Sequence, residues 1–333
     1  MTPRPPTSNW LSSILGYEVD IRSSARVGEA YGLASEIFRL ELTGGPVGDV
    51  VVKRWDLDSP AGTAEIRFYE HFGGRLDIPL PVCLAGGSDG STGYLVLSAL
   101  DGFRQGDVLV DEGDDVIERI VRMLGRLHGQ WWGSAELDRL PWLRDAMTTL
   151  PDDAWCADRR SAFLDRFGQP QSDLAGELLA RAPEVLARGT AILGRVPATL
   201  VHGDAHLDNF LFAPGTGEPY LIDWAGCRRG PGAQDLAAVL VGMAAGDTRR
   251  RLLDAYHDAL VEHGASGVSQ EDVVAMAGGA LHWMFVFWTL GTARWMPTTP
   301  RESAMQRDHL KRIEGAVDEW QSIDPGVFDA VAG

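Results

Sequence analysis

The chain predicts an α+β fold of two lobes, a small β-rich N-terminal lobe and a larger, mainly helical C-terminal lobe. Three observations carry this. β-Branched and alternating apolar runs concentrate before residue 98. From residue 116 onward, apolar residues recur at three- and four-residue steps. The chain has 333 residues, 45% of them hydrophobic, enough for a two-lobed protein with a sizeable core. The expected division is 1–98 for the first lobe, 99–111 for a crossing segment and 112–333 for the second lobe.

Residues 10–16 suggest a short leading helix. The stretch Gly28-Glu29-Ala30-Tyr31-Gly32-Leu33-Ala34-Ser35 then precedes Glu36-Ile37-Phe38-Arg39-Leu40-Glu41-Leu42. In the second stretch Phe38, Leu40 and Leu42 fall on one face, as in a half-buried strand. A glycine-bearing loop between strands can offer backbone N–H groups to phosphates, which makes Gly28, Gly32 and Ser35 candidate contacts. The same glycines could simply close a hairpin.

Val50-Val51-Val52 reads as a buried strand that delivers Lys53. The chain has only two lysines, Lys53 and Lys311. An ammonium at a strand end can reach nucleotide phosphates as a point charge. Twelve residues on, Glu65 opens a helical stretch in which Ile66, Tyr69 and Phe72 form the apolar stripe. Glu65 is placed one residue off that stripe, where it could face Lys53 and keep it charged. Glu70 is the competing partner.

The helix expected over 116–132 carries Ile117, Ile120, Val121, Leu124, Leu127 and Trp131 as a core-facing stripe. His128 beside it suits packing or hydrogen bonding. Residues 136–200 read as helical with breaks at Pro141, Pro151, Pro170 and Pro183. A loop and a hairpin-like strand pair follow, then helices to the end. The apolar stretch 273–290 approaches bilayer length, yet its glycines, His282 and absence of basic flanks favour a buried core helix.

The most telling segment is His202-Gly203-Asp204-Ala205-His206-Leu207-Asp208-Asn209, followed by Leu221-Ile222-Asp223-Trp224. It supplies an acid, an amide five residues later and a second acid at the end of an apolar run. Kinase-type phosphoryl transfer needs those groups: one carboxylate to orient the attacking hydroxyl, an amide oxygen and a second carboxylate to hold Mg²⁺ against the phosphates. A polar turn between two strands is the bland alternative, and the full spacing weighs against it. No Gly-x-x-x-x-Gly-Lys-Ser/Thr sequence is present, so a P-loop ATPase is not supported.

These segments resemble the aminoglycoside phosphotransferase and choline kinase superfamily, whose fold is similar to that of protein kinases. The resemblance covers about residues 10–295. Glu65-Ile66-Arg67-Phe68-Tyr69, Leu127-His128-Gly129-Gln130-Trp131-Trp132, and Asp223-Trp224 with Gly230-Pro231-Gly232-Ala233-Gln234-Asp235-Leu236-Ala237 look closest to the ecdysteroid-kinase-like branch and its bacterial relatives. The resemblance implies Asp204 as catalytic base, Asn209 and Asp223 as magnesium ligands, and Lys53 with Glu65 as the phosphate-positioning pair. It implies structural roles for Asp235 and His202. It makes residues 94–102 the linker that meets the nucleotide base, with Ser98 and Leu100 as contacts. Many relatives carry a glutamate where Ser98 stands, which leaves ATP or GTP open as donor.

The net charge of −17 shows no basic face for nucleic acid and suits a cationic substrate, or simply solubility. Cys83, Cys156 and Cys227 have no metal spacing and fit reduced, cytoplasmic thiols. No membrane or nucleic-acid partner is expected. The acceptor is expected to be a hydroxyl of a small molecule, by resemblance an antibiotic such as an aminoglycoside or a capuramycin-type nucleoside. A metabolic sugar or amino-sugar kinase is the alternative within enzymes, and a nucleotide-binding pseudokinase the alternative outside them. No Ala-Pro-Glu pattern follows Asp223, which argues against a protein kinase. Asp208, His206, Trp224 and Trp288 are the candidate acceptor-facing residues.

Overall fold

The computed structural model describes residues 5–28, 36–56, 58–146, 150–242 and 247–332. Gly32 and Ser35 lie outside these residues. The chain divides into two compact units, Met1–Gln105 with Asp208–Cys227, and Gly106–Leu207 with Arg228–Gly333. This differs from the linear division expected from the sequence. The segment at 208–227 returns to the first unit because it pairs with strand residues 104–105.

The first unit is built on an antiparallel five-stranded sheet of order β1-β2-β3-β5-β4. Its strands are β1 (Asp20–Val27), β2 (Glu36–Thr43), β3 (Val50–Asp56), β4 (Cys83–Asp89) and β5 (Thr92–Ser98). Helix α1 (Ser8–Leu15) begins where the Thr7 hydroxyl caps the Trp10 N–H. One sheet face packs Phe38, Leu40, Val50, Val52 and Val96 with Leu11 and Val19. Since side chains alternate, Lys53 falls on the face opposite Val50 and Val52. Helix α2 (Pro60–Phe72) starts with proline, which has no N–H to leave unpaired there. A second sheet, order β6-β8-β9, joins β6 (Arg104–Gln105) to the hairpin of β8 (Phe210–Phe212) and β9 (Pro219–Leu221).

The second unit is mainly helical. It contains α3 (Asp114–Gln130), α4 (Asp153–Phe167), α5 (Asp173–Ala180), α6 (Ala182–Leu193), α7 (Ala233–Leu240), α8 (Asp247–Glu262), α9 (Gln270–Thr292), α10 (Pro300–Trp320) and α11 (Val327–Ala332). Its small sheet pairs β7 (Thr199–Val201) with β10 (Arg228–Gly230). The expected stripe of α3, including Ile117, Ile120, Val121, Leu124 and Leu127, is buried. Gly125 and Gly129 let α8 approach closely: a Cβ on Gly125 would stand 2.7 Å from the Tyr256 carbonyl oxygen. Pro141, Pro151 and Pro170 fall between helices, but Pro183 sits in the first turn of α6 and starts it. α9 and α10 open with capping boxes, Ser269 with Asp272 and Thr299 with Glu302. α9 is long and apolar enough to cross a membrane, yet 72% of its most apolar window is buried inside the protein, as a core helix requires.

Candidate active site

In the first unit, β3 and α2 bring Lys53 and Glu65 together. The Lys53 ammonium lies 2.8 Å from Glu65 Oε1 and 2.6 Å from Oε2. It also donates to Asp223 Oδ1 at 3.0 Å. Lys53 is 6% exposed and Glu65 1%. Burial by itself would lower the Lys53 pKa, but Glu65 and then Asp223 outweigh it, and the net direction is upward. Burial pushes the Glu65 carboxyl up and Asp223 adds to this, while Lys53 and the Trp224 N–H pull it down; the net is upward. Two carboxylates thus share one ammonium, an arrangement with an excess of negative charge. Glu70 is exposed and is not the partner. The buried face of α2 is Glu65, Phe68, Tyr69 and Phe72, so Glu65 lies on the buried stripe, and Ile66 is only half-buried.

Asp223 sits at the end of β9 with φ 64° and ψ 64°. It is the sole non-glycine residue with positive φ among the described residues. That left-handed conformation costs a residue with a Cβ about 1 kcal/mol. Neighbouring contacts hold it there. Trp224, next in the chain, is fully buried, and its indole stacks on Phe68 with ring centroids 3.9 Å apart and planes 9° apart. The Trp224 Nε1–H donates to the Leu221 carbonyl at 3.1 Å, and its backbone N–H donates to Glu65. Trp224 was expected to face an acceptor. Its ring is instead enclosed between α2 and the turn, because a flat indole is the group that fills that gap.

Asn209 ends a short 3-10 turn, Leu207–Asn209, and is buried. Its carbonyl accepts from the Ile222 N–H at 3.0 Å, so the backbones that carry Asn209 and Asp223 are tied together. Asp208, the other residue of this turn expected near an acceptor, has its side chain buried, and Gln105 Nε2 donates to its carbonyl at 2.7 Å. Among the described residues no group of three or more His, Cys, Asp or Glu side chains forms a metal cage. An amide oxygen, one carboxylate and surplus negative charge fit Mg²⁺, which binds through few protein ligands together with phosphate oxygens and water. They do not suit a structural zinc.

Ser98 is engaged within its own unit. Its N–H donates to the Val82 carbonyl at 2.8 Å and its hydroxyl accepts from the Val82 N–H at 2.9 Å. The Ala99 N–H donates to the Asp49 carbonyl at 2.9 Å. Leu100 is half-buried. Gly28 closes β1 with φ 78°, a conformation glycine adopts without strain.

In the second unit, Asp204 follows β7 on a loop whose Gly203 has φ 81°. Asp235, at the start of α7, braces that loop. Its carboxylate accepts from the His202 N–H at 2.6 Å and the Gly203 N–H at 2.8 Å. His128 Nε2 lies 3.3 Å from the same carboxylate, and the Tyr256 hydroxyl lies 2.8 Å from His128 Nδ1. Burial pushes Tyr256 well above its ordinary pKa, so it remains a phenol, whose hydroxyl can either donate to Nδ1 or accept from it. Asp235 is fully buried, which alone would raise its pKa, but the His128 bond, the charges of His128 and His202 and the Gly203 N–H bring it below the usual carboxylate value. Arg228 adds a bond to the Gly203 carbonyl at 3.2 Å. The Asp204 side chain remains 47% exposed, with His206 Nε2 3.4 Å from its Oδ2. Trp288 is 46% exposed on α9.

Phe68 belongs to the Glu65–Tyr69 segment, but its stacking role against Trp224 is visible only once α2 is packed. Tyr256 and Arg228 lie outside the motifs and are recruited by proximity.

A sequence model of the phosphotransferase enzyme family matches residues 32–266. No curated protein matches the chain. Among solved structures, a choline/ethanolamine kinase family protein from Mesorhizobium loti superposes with a TM-score of 0.59 at 17% identity, covering 93% of this chain and 92% of that one. Spectinomycin phosphotransferase, solved with ADP and spectinomycin, gives 0.57 at 14% identity, covering 96% and 99%. The macrolide 2'-phosphotransferase of Brachybacterium faecium gives 0.54 at 15%, covering 92% and 95%. At these identities the likeness establishes the fold.

Proposed function

The chain belongs to the phosphotransferase enzyme family, and from that premise we propose that it is a Mg²⁺-dependent kinase moving the γ-phosphoryl of ATP or GTP to a hydroxyl of a small molecule. The observation that carries this reading is the Lys53 ammonium held between Glu65 and Asp223 in the first unit. A buried lysine fixed by two acids is prepared to meet phosphate oxygens without an entropic search. Glu65 positions it and keeps it charged.

Asn209 and Asp223 would hold the magnesium ion, which supplies charge neutralisation on the phosphates when bound. Asp204 would orient the acceptor hydroxyl and take its proton; its exposed side chain on a braced loop suits that work. The main chain around Leu100 would meet the nucleotide base, and Gly28, with Gly32 and Ser35, the phosphates. An antibiotic acceptor is the favoured class, supported by the named activities of two superposed structures, spectinomycin and macrolide phosphotransferases.

The test is nucleotide consumption by the purified chain against a panel of antibiotics and sugars, with mass spectrometry for an added phosphate. A phosphorylated acceptor formed by wild type and not by Asp204→Asn supports the reading. Nucleotide binding without transfer to any acceptor would favour a regulatory, non-catalytic role.

A further inference from the structure

The Lys53 ammonium carries three N–H donors and no acceptor. Three carboxylate oxygens of the first unit stand around it: Glu65 Oε2 at 2.6 Å, Glu65 Oε1 at 2.8 Å and Asp223 Oδ1 at 3.0 Å. The donors are thus committed to the protein's own acids. A phosphate oxygen gains a donor only when one of these oxygens gives it up.

The two acids do not grip the ammonium equally. Glu65 meets it with both oxygens, and its side chain is 2% exposed. Asp223 offers one oxygen at a longer distance, and its side chain is 28% exposed. Stripping Glu65 of its ammonium would strand a buried charge, which strongly destabilises a fold. Asp223, nearer solvent, is the partner that yields.

That release alters what the Asp223 carboxylate can bind. With Lys53 in place, the carboxylate already has its counter-charge 3.0 Å from Oδ1, and the ammonium opposes a second cation beside it. With Lys53 drawn onto phosphate oxygens, the carboxylate loses that counter-charge. It then favours a hard divalent cation, as carboxylate oxygens do next to phosphate.

We propose that Lys53 guards the Asp223 carboxylate, its ammonium excluding a metal ion until nucleotide phosphates draw it away. This rests on the reading of Asp223 as a magnesium ligand and adds an order to it. Asp223 becomes open to the metal only once phosphate has engaged Lys53. Lys53 is then the residue through which nucleotide and metal affinity are coupled, beyond being a phosphate contact.

The first experiment measures Mn²⁺ binding to the full chain without nucleotide, with free Mn²⁺ read by electron paramagnetic resonance. Mn²⁺ takes the same hard oxygen ligands as Mg²⁺. The quantity compared is the binding that Asp223→Ala removes, which sets aside ions held elsewhere on an acidic protein. Lys53→Met should bind Mn²⁺ at least about tenfold more tightly than wild type. That variant also makes the site more negative and leaves two acids facing each other. Lys53→Met combined with Glu65→Gln removes one charge of each sign, so the net charge equals that of wild type. It should show the same gain. Equal Mn²⁺ affinity in wild type and the folded double variant overturns the guard.

The second experiment needs no substitution at the site. The chain has only two lysines, so ¹⁵Nζ-lysine labelling gives one ammonium resonance for Lys53 and one for Lys311, and Lys311→Arg assigns them. The Lys53 resonance should move with a metal-free non-hydrolysable analogue of ATP or GTP and stay in place with Mg²⁺ alone. Movement with Mg²⁺ alone, or none with either nucleotide, overturns the guard.

Nucleotide titrations keep the two ideas apart. Magnesium-dependent nucleotide binding that survives Asp223→Ala removes the magnesium reading itself. Loss of that binding in Asp223→Ala, with equal Mn²⁺ affinity in wild type and the double variant, keeps the magnesium site and removes the guard.

Discussion

Asp223 in the first unit and Asp204 in the second are both candidate functional acids, and each unit holds its own acid differently. Asp223 is fixed through its side chain and its backbone together. Lys53 binds its carboxylate, its φ is positive, and the next residue is locked by a stack on Phe68 and a bond to Leu221. Asp204 stands on a braced backbone. Asp235 and Arg228 bind the main chain of His202 and Gly203, while the Asp204 carboxylate stays near solvent with His206. A group that must hold an ion at one point benefits from immobility. A group that must receive a hydroxyl and a proton benefits from access on a firm base.

The largest expected effect removes the immobile acid. Asp223→Ala should abolish magnesium-dependent nucleotide binding and turnover together. Titrations with and without Mg²⁺ that change alike in mutant and wild type would show that Asp223 holds no metal. Next is the accessible acid. Asp204→Asn should leave nucleotide affinity nearly intact while turnover falls by about two or more orders of magnitude. A folded Asp204→Asn protein with near-normal turnover would erase the contrast between the two acids.

Lys53 and Glu65 sharpen the immobile half. Lys53→Arg keeps the charge but replaces a compact ammonium with a planar fork, so turnover should drop by about tenfold or more, and Lys53→Ala should cost more. Glu65→Ala should cost less and be largely redundant with Lys53→Ala in a double-mutant cycle. Additive losses would mean that the 2.6 Å pair does not act as a unit.

The smallest effect on chemistry, though not on stability, is expected at the brace of the accessible half. Asp235→Asn should destabilise the fold by about 2–4 kcal/mol, since it removes a charge acceptor from several buried donors. The folded-state pKa of Asp235 is depressed, so its contribution is present above the unfolded carboxylate pKa and is lost as pH falls through the folded value. Denaturant melts of mutant and wild type should therefore differ by a constant amount near neutrality and begin to converge as pH falls below about 4. A gap that persists unchanged in acid would show that Asp235 acts by shape and not by charge.

Much of this was readable from residues in order. The spacing of Asp204, Asn209 and Asp223, the strand before Lys53 and the amphipathic helix over 116–132 each carry a local signal. Strand alternation, helical period and motif spacing all act within a few residues, so the α+β class and the family follow from the chain by itself. Side-chain roles that depend on contacts distant in sequence were less legible. Trp224 looked like an acceptor residue because it adjoins Asp223; only the packed α2 shows that its indole is spent on Phe68, 156 positions earlier in the chain. Glu65 looked one step off the buried stripe because helix phase cannot be set until the neighbouring sheet and turn are in place. The return of Asp208–Cys227 to the first unit likewise needs β6 to pair with β8, across more than a hundred residues. Local periodicity is set by backbone geometry, which the sequence states directly. Long-range partners are chosen by burial and hydrogen bonding summed over the whole fold, which only the tertiary structure decides.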